Sequence, residues 1–71
     1  MFRINAKLVR DFLFQRGLSV REFAAAAGLN ALTAGKLIRD GATATMKTIS
    51  ALAKFFGVDG NSLILGGEAH D

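Results

Sequence analysis

LSVREFAAAAGLNALTAGKLIRD, residues 18–40, reads as two short helices joined by a tight turn, and this reading decides the fold. Ser19 is a polar cap, Glu22 stands three positions on to reciprocate, and Leu18 and Phe23 bracket the pair as an apolar staple. The helix so opened is expected to run to about Ala27. Gly28 follows, the residue type that accepts positive φ at a sharp turn, and Asn30 is placed to cap a second helix reaching about Asp40. Ala24, small and mid-helix, lies where two crossing helices bring their backbones together. Leu29 and Leu37 are expected to point inward as the wedge between them.

The Gly35-Lys36 pair invites comparison with a phosphate-binding loop. Such a loop needs four residues between its first glycine and the Gly-Lys, then Ser or Thr for magnesium, and it must leave a strand. Here six residues separate Gly28 from Gly35, Leu37 follows Lys36, and nothing before Gly28 reads as a strand. The pair belongs to a helix.

Outward from this stretch, apolar residues keep recurring at spacings of three and four, with no proline and no alternating β-branched run. Every element is therefore expected to be helical, with no sheet. Ile4-Asn5 opens a first helix to about Arg16, with Val9 stapled onto Ile4 and Leu8, Phe12 and Leu13 as its buried stripe. A fourth helix is expected from Thr45 to Phe56, with Ile49, Leu52 and Phe56 on one face and residues 41–44 as the connection before it. Val58-Asp59 with Leu63 opens a brief fifth helix. One domain over residues 1–65 and a flexible tail over residues 66–71, GGEAHD, are expected.

A chain of 71 residues buries only about 60% of its unfolded surface, so its stability margin is thin. Cysteine is absent, which removes disulfides and thiolate metal sites, and association of two copies is one way to compensate. No apolar run approaches the ~20 residues of a membrane span, and no apolar core of a signal peptide is evident at the N-terminus; a cytoplasmic protein is expected. All nine Lys and Arg lie between Arg3 and Lys54, and residues 1–58 carry 9 − 3 = +6. Such a surplus favours polyanionic partners, although charges on a small domain are also its ordinary solvated face.

These patterns resemble the Cro and cI repressor-like (XRE-type) helix-turn-helix family. RGLSVREFAAAAGLN is similar to that family's first motif helix and turn, and KTISALAKFFGVDGNSLI to its fourth and fifth helices. The resemblance implies an all-α, compact five-helix, lambda-repressor-like domain that binds operator DNA as a dimer, with its second motif helix in the major groove. The chain also departs from the pattern: Val20 stands where a DNA-orienting Gln is usual, Ala34 where a β-branched core residue is usual, and Gly35 where a polar residue is usual. Glycine inside a helix costs about 1 kcal/mol relative to alanine, so Gly35 is either simply tolerated or makes room for a close backbone approach.

With Ala34, Leu37 and Ile38 inward, a helical turn of about 100° per residue puts Leu32, Gly35, Lys36 and Arg39 on the opposite face. The family-like placement adds Asn30, Ala31 and Thr33 at the helix start. Arg39 and Lys36 are the candidates for guanine; Asn30 doubles as a cap; for Leu32 a thymine methyl, a protein contact and plain exposure remain open. Arg21, Thr33, Thr45 and Lys47, near helix starts, are the candidates for phosphate. Phe55, Ile64 and Leu65 are the candidate dimer interface, with burial in the monomer the competing role for Phe55.

No enzyme is expected. His70 is the single histidine, no cysteine nucleophile exists, and no carboxylates are paired on facing elements; Glu68, His70 and Asp71 could nominally meet a metal, but neither a metal nor another cofactor is expected. Two functions follow. One is a sequence-specific double-stranded DNA-binding transcription regulator acting as a repressor. The other is a protein-binding module of the same fold, such as an antitoxin or a regulator's partner.

Overall fold

The computed structural model describes residues 1–65. The tail read at residues 66–71, with Glu68, His70 and Asp71, lies outside the described residues. Strand β1 (Phe2–Arg3) is followed by α1 (Ala6–Arg16), α2 (Val20–Ala27), α3 (Ala31–Leu37), β2 (Thr43–Ala44), α4 (Met46–Phe56) and a 3₁₀ helix, Gly60–Leu63.

Local chemistry starts each α-helix: the caps read at Asn5, Ser19 and Asn30 stand in place, and Thr45, read as the first residue of its helix, is the cap before Met46. Asn5, Ser19, Asn30 and Thr45 each accept the backbone N–H three residues on, at Leu8, Glu22, Thr33 and Thr48. At Ser19 the bond is reciprocated, the Glu22 carboxylate accepting the Ser19 N–H at 2.8 Å while the Ser19 hydroxyl accepts the Glu22 N–H at 3.1 Å. The Ser19 N–H first, and its hydroxyl second, hold the Glu22 carboxyl below its ordinary pKa. The carboxylate's contribution to stability is therefore present at neutral pH and is lost as pH falls through that lowered value.

The core gathers one stripe from every helix around Phe23, which is fully buried. Phe56 bridges two layers of it, with its ring 5.9 Å from Phe23 and 4.6 Å from Phe12. On α1 the buried stripe is Ala6, Val9 and Leu13, not Leu8, Phe12 and Leu13; Leu8 and Phe12 are half-buried flanks. Ile4 and Val9 enter the core together, and that staple sets which stripe of α1 faces in.

The expectation of an all-helical, five-helix chain is corrected in two places. Phe2 pairs with Ala44 and Arg3 with Thr43 in an antiparallel two-stranded sheet, and Ile4 bridges Ile64 on its other side. The ladder is carried by Ile4 N–H to Ala42 C=O at 2.8 Å, Asn5 N–H to Leu63 C=O at 2.8 Å, and Leu65 N–H to Arg3 C=O at 2.9 Å. Two-residue strands carry no periodicity, so nothing in residues 1–5 or 41–44 announced them. The fifth helix is a single 3₁₀ segment because Ile64 must turn extended, with φ −99° and ψ 131°, to meet Ile4.

The N-terminal segment is thus core and not fringe. Ile4→Ala is expected to cost about 2–4 kcal/mol in urea unfolding, as for a buried branched side chain. Phe14→Ala, at a residue 87% exposed on α1, should stay within about 0.5 kcal/mol of the parent. Equal costs at the two positions would overturn this assignment.

Candidate nucleic-acid interface

The turn between α2 and α3 is closed by backbone bonds. Gly28 sits at φ 74° and the Leu29 N–H returns to Ala24 C=O at 2.8 Å, so the chain reverses within three residues. Ala24 and Ala34 are both buried between the packed helices, where larger side chains would hold them apart. Leu29 is half-buried against the core and Leu37 is buried in it, as the wedge requires.

With Ala34 and Leu37 inward, the opposite ridge of α3 carries Leu32 and Lys36. Leu32 is 71% exposed, and Lys36 is exposed one turn on. Ala31 is exposed in the first turn; Gly35, between the ridge and the core, is half-buried. Asn30 is exposed, and its amide oxygen is committed to the Thr33 N–H at 2.8 Å. Thr33 itself is half-buried, with its N–H already spent on that cap.

Arg39 is corrected in position. The helix stops at Leu37, short of Asp40, in a turn where the Ala42 N–H returns to Arg39 C=O at 3.1 Å and Gly41 takes φ 85°; the Arg10 guanidinium takes the freed Ile38 carbonyl at 2.7 Å and Asp40 at 3.2 Å, and Ala42 meets Ile4. Arg39 therefore lies in the turn after α3, exposed, with its N–H on Lys36 C=O at 3.2 Å. Arg10 is a positioning residue that the sequence reading missed. Its partners lie 28 and 30 residues away, beyond the reach of any local pattern.

Of the other candidates, Arg21 is exposed in the first turn of α2 and Lys47 in the first turn of α4. Thr45 is exposed and caps α4 through the Thr48 N–H at 3.3 Å. Val20 is half-buried against the core, so it presents no polar group at the start of α2. Phe55 is half-buried with its ring 5.8 Å from Phe23 and 5.1 Å from Phe56, while Ile64 is half-buried at the bridge to Ile4 and Leu65 is half-buried beside Arg3.

Charge is partitioned by task. Lys7 pairs with Asp11, Arg10 with Asp40, and Arg16 donates to Phe56 C=O at 3.3 Å while lying over the Phe12 and Phe56 rings. All three are on α1. Arg3, Arg21, Lys36, Arg39, Lys47 and Lys54 form no ion pair among the described residues. Between Phe12 and Val58 the chain has only two carboxylates, Glu22 and Asp40, and both are engaged, in the Ser19 cap and with Arg10. The field over α2 to α4 is left positive.

Two packed short helices across a glycine turn, with an exposed ridge on the second, define a helix-turn-helix domain. The chain matches the helix-turn-helix family model of the XRE (Cro/C1) type over residues 7–63, and it belongs to that family of DNA-binding regulators. No curated protein and no solved structure matches it. No helix among the described residues is long and apolar enough to cross a membrane.

Gly35 has no role inside the domain that a methyl group would disturb, because a Cβ there would have no neighbour within 4 Å. Gly35→Ala should accordingly raise stability by up to about 1 kcal/mol in urea unfolding. A loss of stability would mean that the helix needs this glycine for its own packing.

Proposed function

We propose that this domain is a sequence-specific double-stranded DNA-binding transcription regulator that acts as a repressor and lays α3 in the major groove. The observation that carries the proposal is the exposed ridge of α3, with Lys36 on it and Arg39 in the turn after it, neither of them in an ion pair among the described residues. Arg39 and Lys36 are assigned to guanine edges, arginine through a bidentate pair and lysine as a donor to base or phosphate. Asn30, Ala31, Leu32 and Gly35 approach the bases, and the absence of a Cβ at Gly35 lets the groove wall come close to the helix backbone.

Arg21, Thr33, Thr45 and Lys47 are assigned to phosphates, which fix register without reading sequence. The Thr33 and Thr45 contacts fall to their hydroxyls, since the N–H groups that Asn30 and Thr45 cap are already satisfied. Few long polar side chains stand on the ridge, so direct readout is modest and phosphate neutralisation supplies a large share of affinity. Two copies bind a two-fold symmetric site with their α3 helices about 34 Å apart, through the surface that Phe55, Ile64 and Leu65 leave uncovered.

The test is selection from a pool of random duplexes at two salt concentrations, comparing the parent with Lys36→Ala/Arg39→Ala. A palindrome should be enriched by the parent and lost by the double variant, with affinity falling steeply as salt rises. Binding without enrichment, lost equally for all duplexes as salt rises, would contradict sequence reading and turn attention to a protein partner.

A further inference from the structure

We infer that Leu32 reads the 5-methyl group of a thymine in the major groove, so that each half-site has a required A·T pair opposite the first turn of α3. The inference rests on the DNA-binding reading above and names what that ridge recognises first.

Three observations converge on it. Leu32 is 71% exposed on the outward ridge of α3, so the monomer gains little from its apolar side chain. The rest of that turn lacks a side chain free to pair with a base edge through both donor and acceptor; only the Asn30 amide nitrogen is left to donate. Ala31 has no polar side-chain atom, Thr33 is half-buried, and Asn30, whose amide would need both oxygen and nitrogen to pair with adenine, has its oxygen committed to the Thr33 N–H at 2.8 Å. The base edge offers that turn one feature an apolar side chain can distinguish, the thymine methyl.

The third observation decides what kind of surface covers Leu32. One turn along its ridge stands Lys36, Arg39 follows in the next turn, and neither forms an ion pair among the described residues. An apolar knob beside unpaired cations complements a polyanion that also displays methyl groups. Beside the knob, Gly35 leaves open space on the helix, so the groove floor can approach until the leucine meets the methyl.

The probe is the duplex enriched from the random pool, remade with deoxyuridine in place of each thymine in turn, which removes only the methyl. One substitution per half-site should weaken the parent by about four- to tenfold, the scale of losing one buried methyl contact. Leu32→Ala should lose a similar factor on the thymine duplex and nothing further on the uracil duplex. Far-UV circular dichroism should show the variant folded, since the residue is exposed. Equal binding of thymine and uracil duplexes by the parent, with enrichment still abolished by Lys36→Ala/Arg39→Ala, would overturn this inference and leave the DNA-binding reading intact. Undiminished uracil sensitivity in Leu32→Ala would assign the methyl to another residue. Failure to enrich any duplex would remove both readings.

Discussion

The hydrogen bond from Ile4 N–H to Ala42 C=O, 2.8 Å long, holds the chain just after α3 against the N-terminal segment. A helix of seven residues does not persist alone, because so few internal bonds do not offset the cost of its nucleus. Its position must be imposed from outside. At its start, the Asn30 cap and the packing against α2 impose it; at its end, Arg10 on Ile38 C=O and the Ile4–Ala42 bond do. The same N-terminal segment carries the other end of the molecule, through Asn5 on Leu63 and Leu65 on Arg3. Residues 2–5 therefore set the pose of α3 and the closure of the fold together.

The division of cations follows from this architecture. Arg10 and Arg16 project from α1 onto backbone carbonyls at the C-terminal ends of α3 and α4, where free C=O groups and the helix dipole favour positive charge. They are spent on holding helices in place. The cations of α2, α3 and α4 have no such task among the described residues, and the carboxylates that might have quenched them are tied into a cap and a clamp. The cations of α1 are thus spent as a brace, and the charge left without an ion pair on the helices after it is carried by α2, α3 and α4.

What was legible in the sequence was what short-range chemistry controls. Ser19 with Glu22 and Asn30 before Ala31 start their helices as written, because a cap and its N–H lie within one turn. The outward place of Leu32 followed from helical geometry alone. What was not legible depends on partners far along the chain. The strands of Phe2–Arg3 and Thr43–Ala44 exist only through pairing across some forty residues, and neither segment has a β pattern of its own. The spacing of Arg39 continues that of α3, while the Ile4–Ala42 bond and the Arg10 contacts that meet the chain just past Leu37 come from residues far away in the sequence. Phe55 likewise spends part of its ring against Phe23 and Phe56, a packing that no spacing rule distinguishes from an exposed aromatic.

The most direct test of how α3 is presented is an amide map of the ¹⁵N-labelled domain titrated with its enriched duplex in moderate salt. The account predicts that the amides of residues 20–21, 30–36, 39 and 43–47 shift together as DNA is added, while those of α1 around Phe14 do not move. Shifts centred on α1, with α3 unchanged, would contradict it.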